Sequence, residues 1–297
     1  MPHSLLADKT ASSDPFGGIR FCFNTSTIRG QKLSITEQVD VAAKAGYDAI
    51  EPWIGDIEKY RDSGGSLSDL RKRIADSGLT VESAIGFAKW IVDDEIERAK
   101  GLEHARRDMD LIKSIDGKRI AAPPVGATRE QGPALSAIAE RYAALCDVGR
   151  DVGVAAELEL WGFSKTLSRL GELAFVAAEC GHPDACVLPD IYHIYKGGSE
   201  FAGLGMIEGS RMPCFHMNDY PADPPRDKIG DADRVYPGDG VAPLGEIIHL
   251  LHGNGFRGYF SLELFNRSYW ELPADQVAKK GLEKMKASVR QALASNA

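Results

Sequence analysis

Glu157-Leu158-Glu159-Leu160-Trp161-Gly162 is an apolar run punctuated by carboxylates. The same design recurs three times downstream, in Leu188-Pro189-Asp190-Ile191-Tyr192-His193, Cys214-Phe215-His216-Met217-Asn218-Asp219 and Phe260-Ser261-Leu262-Glu263-Leu264-Phe265. Each run ends on a side chain able to bind a metal, and helix-length segments separate the four. Near-continuous apolar runs of this length read as buried parallel strands. In repeated strand–helix units the C-terminal ends of such strands share one face. Three carboxylates and one imidazole delivered to one rim would suit a single divalent cation.

The first half of the chain carries the same rhythm. Strands are expected at residues 19–24, 48–53, 79–85 and 119–122, the last stopped by Pro123-Pro124, which cannot continue a ladder. Helices are expected at residues 36–45, 67–77, 93–115 and 133–152. In the second half they are expected at residues 167–180, 200–208, 244–254 and 273–293. Eight strands alternating with about eight helices, with no linker, predict a single-domain α/β protein, a (β/α)8 TIM barrel over residues 19–297. Residues 1–18, polar and rich in Ser, Asp and Gly, read as a flexible extension. An open doubly wound sheet is the rival; it calls for a glycine-rich phosphate loop after the first strand, and Asn24-Thr25-Ser26-Thr27 is not one.

Composition narrows the function. Of 297 residues, 43% are hydrophobic and 26% charged, and the formal net charge is −8. That balance disfavours nucleic acid and anionic membranes as partners. No apolar run approaches the roughly 20 residues that span a bilayer. Five cysteines without a Cys-x-x-Cys pairing read as reduced, buried thiols in a cytoplasmic protein. Homo-oligomeric assembly stays open.

Each rim residue has a bland alternative. Glu159 could be a solvated strand end, and Glu157, two residues deeper on the same face, competes with it as a ligand or pairs with an interior Lys or Arg. Asp190 could merely cap the next turn, with His193 close enough to orient substrate or metal. A lone His216 would more often be structural, but two flanking acidic strand ends favour a ligand. Glu263 on an apolar strand needs a cation or hydrogen bonds. The loop over residues 231–240 follows the seventh strand, where binding residues gather, and Arg234 offers it a planar fork of donors. His104, His182, His249 and His252 read as surface residues without a role.

These motifs resemble the xylose-isomerase-like barrels of the sugar phosphate isomerase/epimerase superfamily, the inosose (2-keto-myo-inositol) isomerases among them. The carrying residues are Phe21-Cys22-Phe23-Asn24, Gly46-Tyr47-Asp48-Ala49-Ile50-Glu51, and the four rim motifs. The loop over residues 231–240 and Tyr269-Trp270 add to them. The resemblance implies metal ligation by Glu159, Asp190, His216 and Glu263, of one Mn²⁺, Mg²⁺, Zn²⁺ or Co²⁺ ion. It implies substrate contacts from His193, Arg234 and Glu51, and a pocket lined in part by residues 86–92, Lys89 and Trp90 included. The expected reaction is isomerisation or epimerisation of a keto-sugar or inosose through an enediolate, with Glu159 and Glu263 as acid and base. Dehydration of an inosose or 3-keto-glycoside is an alternative on the same site. A metal-dependent phosphodiesterase and a non-catalytic sugar-binding barrel are the more distant ones.

Overall fold

A computed structural model describes residues 14–294 of the chain. The expected N-terminal extension lies outside the described residues up to position 13. Residues 14–18 form a turn in which the Asp14 carboxylate accepts the N–H groups of Phe16 and Gly18 and leads into the first strand.

Eight strands follow in order: β1 (Arg20–Asn24), β2 (Ala49–Glu51), β3 (Thr80–Val81), β4 (Arg119–Ala122), β5 (Ala155–Glu159), β6 (Cys186–Leu188), β7 (Cys214–His216) and β8 (Tyr259–Leu262). Between and after them lie helices α1 (Ile35–Ala45), α2 (Ile54–Asp62), α3 (Leu67–Asp76), α4 (Glu95–Ser114), α5 (Leu135–Val152), α6 (Leu170–Glu179), α7 (Ile191–Lys196), α8 (Leu244–Gly253) and α9 (Ala274–Ala294). All strand pairs are parallel, in two arcs, β3-β2-β1-β8-β7 and β4-β5-β6. The arcs join at two seams. Between β3 and β4, Lys118 and Ala121 donate their N–H groups to the carbonyls of Val81 and Ala84. Between β6 and β7, a single bridge pairs Asp190 with His216. The ring is therefore closed, and the sheet has no open edge.

Side chains alternate across each strand. One set (Phe21, Phe23, Ile50, Ala156, Leu158, Val187, Phe215, Phe260, Leu262) packs outward against the helices in the main core. The other set points into the lumen, where Cys22, Ala49, Ile85, Ala121, Leu188, Cys214 and Tyr259 form a separate small cluster. The next inward position after Cys22, Ala49 and Cys214 is polar: Asn24 on β1, Glu51 on β2 and His216 on β7. The same alternation brings Glu159, two residues past Glu157, and Glu263, two residues past Ser261, to the C-terminal end.

The expected barrel is present. Three local expectations change. Helix α2 was not anticipated; its buried apolar residues are Ile54 and Ile57, with Tyr60 half-buried, too sparse a stripe in a charged segment to read as helical. Residues 200–208 form 3-10 turns (Phe201–Met206, then Gly209–Arg211) rather than a helix, because Gly203 and Gly205 penalise α-geometry there. The short α7 takes over part of that connection. The third strand, expected over residues 79–85, is regular only at Thr80–Val81, with one further bridge from Ile85 to Trp53. The five cysteines are unpaired, four of them buried. Among the described residues no helix is long and apolar enough to cross a membrane. His182, expected to be solvated, has a side chain only 7% exposed, beside Asp147.

Tyr142 of α5 ties the helical layer to the barrel wall. Its ring is fully buried, and its hydroxyl lies 2.9 Å from the Ala156 carbonyl and 2.7 Å from that of Cys186, while accepting the Cys186 N–H at 3.2 Å. Tyr142→Phe leaves β5 and β6 backbone groups unsatisfied without opening a large cavity. It should lower unfolding free energy by about 1–3 kcal/mol, measured by urea denaturation.

Candidate functional site

His216 stands at the centre of the polar layer. Its Nε2 lies 3.2 and 3.1 Å from the two oxygens of Glu51. Glu51 is itself held by Asn24 Nδ2 at 2.9 Å and by the Ser261 hydroxyl at 2.6 Å. A ring N–H donated to a buried carboxylate fixes the tautomer and aims the other nitrogen at the site. That nitrogen, Nδ1, is 3.5 Å from Asp190 Oδ2 and 3.3 Å from Glu263 Oε2. It is buried and makes no hydrogen bond. Among the described residues, Asp190, His216 and Glu263 bring one donor atom each within 4.8 Å of one another, a group able to hold a metal ion. An orphaned imidazole nitrogen facing two carboxylate oxygens has the donor chemistry for a divalent transition metal, with Mn²⁺ and Mg²⁺ served by the oxygens.

Local structure explains the aim of each donor. Asp190 is the N-cap of α7: its Oδ1 accepts the His193 N–H at 2.8 Å, which turns Oδ2 toward His216. Both readings of Asp190, cap and ligand, thus use different oxygens of one carboxylate. Asn218, two residues beyond His216 on the same inward face, donates to Oδ2 at 2.9 Å and accepts the Tyr192 N–H. Glu263 takes a second bond from Asn24 at 3.2 Å.

Glu159 lines the same cavity but lies outside the group of three converging donors. The cavity holds about 200 Å³. Glu159, Glu263, His193, Arg234 and Asp231 supply its polar surface; Trp53, Ile85, Phe87, Trp161, Phe163 and Phe265 supply the rest. The aromatic rings contact one another in sequence from Phe265 through Trp53, Phe87 and Trp161 to Phe163, at centroid distances of 5.1–6.3 Å. The cavity thus pairs an ionic floor with an aromatic wall.

The two strand-end glutamates differ electrostatically. Burial raises Glu159 well above the usual carboxylate range; His216 opposes the shift, while Glu263 and Asp190 add to it. Burial acts the same way on Glu263, but His216 and Arg234 outweigh it and hold that carboxyl below its ordinary value. Burial would also depress His216, yet Glu263 and Glu51 more than compensate and raise it well above an ordinary imidazole. His193 is lowered to about 4, first by burial and then by the Arg234 guanidinium, so it is neutral at physiological pH.

Arg234 reaches this layer from the loop after β7, as expected, and is 1% exposed. Asp219 organises the loop. Its carboxylate accepts the N–H groups of Tyr220, Gly238, Gly240 and Ala242, and its backbone pairs with Val235. The guanidinium lies between the rings of Tyr192 and Phe265, 4.4 and 5.1 Å from their centroids. It bonds Asp190 Oδ2 at 3.1 Å, Glu263 Oε2 at 2.8 Å and Asp231, and lies 3.1 Å from His193 Nε2. Gly162 lets α7 come this close. A Cβ there would meet the His193 carbonyl at 2.3 Å.

Asp190, His193, His216, Arg234 and Glu263 are thus assembled at one point, with Glu159 on the adjoining wall. Glu51 is placed differently from its expected substrate contact: it is fully enclosed behind His216 and bonds that ring. Glu157 sits one lumen layer below the site, both oxygens without hydrogen bonds, next to the charge of Arg119; burial raises it to about 7 against that cation. Lys89 and Trp90 do not line the cavity. Trp90 is 1% exposed and donates to the Pro123 carbonyl in the core, and Phe87 is the residue of that segment facing the site. Asn24, Asn218, Ser261 and the aromatic wall went unrecognised in the sequence. Asn24 and Ser261 could have been found from period 2 alone, being inward positions on β1 and β8.

Known proteins match this architecture along its length. An inosose isomerase of Bacillus velezensis is 24% identical over 276 residues, covering 91% of this chain and 97% of that one. A 3-dehydroshikimate dehydratase of Pseudomonas aeruginosa is 23% identical over 260 residues, covering 85% of this chain and 39% of that protein. The crystal structure of an IolI protein with a bound zinc atom superposes with a TM-score of 0.84 at 22% identity, covering 92% of this chain and 98% of the other. The family model described as xylose isomerase-like TIM barrel matches residues 39–288, and the chain belongs to that family.

Proposed function

We propose that the protein is a metal-dependent isomerase or epimerase of a keto-sugar or inosose, with Glu159 and Glu263 as its acid and base. The observation that carries this reading is the placement of two buried carboxyls, Glu159 and Glu263, on one cavity beside a group able to hold a metal, with burial raising the first and His216 and Arg234 lowering the second. Paired groups whose environments push their pKa values apart mark an acid and a base. Glu263, held ionised, takes the proton from the carbon beside the substrate carbonyl. Glu159, held neutral, returns a proton to the resulting enediolate. Delivery to the neighbouring carbon gives isomerisation; delivery to the opposite face of the same carbon gives epimerisation. Arg234 and neutral His193 orient the substrate oxygens, and the aromatic wall excludes water and packs on the C–H faces of the ring. Asp190, His216 and Glu263, with Glu159 within the same cavity, would hold the divalent cation. Bound there, it would supply Lewis-acid polarisation of the carbonyl.

A second reading, dehydration, is favoured by the match to a 3-dehydroshikimate dehydratase. Neutral Glu159 would then protonate a departing β-hydroxyl. Incubation of metal-loaded protein with inososes, ketohexoses and 3-keto-glycosides in heavy water separates the outcomes by NMR. Isomers or epimers carrying deuterium support the first reading, and an unsaturated product supports the second. Absence of both exchange and product across the panel would leave a binding protein.

Three predictions follow from the site. Glu159→Gln and Glu263→Gln, each fully metal-loaded, should lose about 10²–10⁴-fold in turnover; parent-like rates in both would remove the two-carboxylate mechanism. Arg234→Ala should raise KM by about tenfold or more, the worth of a charge-assisted hydrogen bond, while metal content by atomic absorption stays stoichiometric. Metal uptake should release a proton. Against burial, Glu263 and Glu51 raise His216 well above an ordinary imidazole, and its Nδ1 must be free of a proton to ligate. Apparent affinity should rise by about tenfold per pH unit below the His216 pKa, and calorimetry in buffers of different ionisation enthalpy should detect the proton. His216→Gln should abolish that release.

A further inference from the structure

Asp190 has little room for a further partner. Its Oδ1 is taken by the His193 N–H at 2.8 Å. Its Oδ2 accepts from Asn218 Nδ2 at 2.9 Å and from Arg234 Nη1 at 3.1 Å. A carboxylate offers about four lone-pair sites, two on each oxygen, so both sites on Oδ2 are engaged. Yet Oδ2 is the oxygen that faces His216 Nδ1. At Glu263, Oε2 faces Nδ1 at 3.3 Å and accepts from Arg234 Nη1 at 2.8 Å, so one of its two sites is engaged by the same group. A metal ion ligated by these three residues would draw on the two oxygens that the guanidinium holds.

One of the donors must yield. Asn218 is pinned from its other end, since its Oδ1 accepts the Tyr192 N–H at 2.9 Å. Arg234 has other partners to keep when Nη1 turns away. Its side chain is long and comes from a loop, and the flat faces of its guanidinium meet rings, against which it can turn without losing contact. Its Nη2 edge keeps Asp231 and His193 as partners, and its Nε has no hydrogen bond.

We infer that Arg234 and the divalent cation exchange at Asp190 Oδ2 and Glu263 Oε2, so that metal loading turns the guanidinium off the carboxylates and toward the substrate. Arg234 is then an internal counter-ion before loading and a substrate donor after it. Metal and substrate bind in that order, because the arginine reaches the substrate only once the carboxylates have a second cation. The inference rests on the metal-site reading above and goes beyond it by assigning Arg234 to both states.

Calorimetric titration of chelator-stripped protein with Mn²⁺ and Zn²⁺ tests it without any activity assay. Arg234→Met keeps the bulk and removes the competing charge; it should bind metal at least about tenfold more tightly than the parent, the low end for a charge-assisted hydrogen bond. Stripped Arg234→Met should also melt below the stripped parent and gain more in Tm on metal addition. Should Arg234→Met prove unstable, Arg234→Lys serves: a single ammonium spans both oxygens poorly, and an intermediate tightening is expected. Equal or weaker metal binding in these variants overturns the exchange. So does a metal-bound crystal structure in which Nη1 remains within hydrogen-bond distance of Asp190 Oδ2. If the parent binds neither ion, the metal-site reading falls and the exchange falls with it.

Discussion

Four carboxylates share one end of a dry barrel. Glu51, Glu159, Asp190 and Glu263 are each at most 4% exposed, and the counter-charges beside them are Arg234 and, when protonated, His216. Like charges about 5 Å apart at an effective dielectric near 20 repel by roughly 3 kcal/mol, and several such pairs would rival the whole stability of a domain. The layer is tolerable only if some of these groups are neutral or extra positive charge is present. That constraint accounts for features that otherwise look unrelated. Glu51 is surrounded by donors from β1, β7 and β8. Directly below Asn24, Glu51 and His216 the lumen holds the small uncharged groups Cys22, Ala49 and Cys214. The loop that carries Arg234 is fastened by four N–H groups on one carboxylate, because a buried guanidinium that strayed would leave two acids exposed to each other.

The same residues close the barrel. Strand β6 meets β7 through the single Asp190–His216 bridge, and the Asn218 amide and Asp190 carboxylate tie the loops above that seam. Rigidity and chemistry therefore draw on one set of hydrogen bonds. Variants at Asp190 or Asn218 would disturb both together, whereas Tyr142 stabilises the wall from the outer side without touching the cavity. This separation lets stability and site effects be told apart.

The sequence disclosed the barrel because its strands are apolar runs separated by helix-length segments; α1 and α4, capped by Ser34 and Asp94, begin within two residues of the expected starts at 36 and 93. It also disclosed Asp190, His216 and Glu263, since a metal-binding side chain at the end of a buried run is conspicuous, and His193 and Arg234 from their places just past two such ends. Glu51 was found but misplaced. Its strand-end position is visible in the chain, but that its carboxylate turns to the β7 imidazole is set by the barrel's curvature, which no local pattern encodes. The aromatic wall was hidden for a similar reason. Phe87, Phe163 and Phe265 belong to three different loops, and their ring contacts exist only after closure. Lys89 and Trp90 were expected at the pocket as members of residues 86–92, of which Phe87 faces it, while the Trp90 indole N–H turns to the Pro123 carbonyl in the core.

The opposed shifts of Glu159 and Glu263 also bear on loading order. Against burial, His216 and Arg234 hold Glu263 below its ordinary value, while burial raises Glu159 well above it. If the guanidinium leaves Glu263 as a divalent cation arrives, one positive neighbour replaces another, and Glu263 remains a carboxylate able to accept a proton. Glu159 has no direct bond to Arg234, so the departure removes nothing from it; its burial persists, and any cation contact it gains acts in the opposite direction. In the proposed mechanism the two roles rest on different physical causes, local charge for the base and desolvation for the acid. A variant that alters Arg234 should therefore perturb the base before the acid, which a pH profile of turnover resolves into its acidic and alkaline limbs.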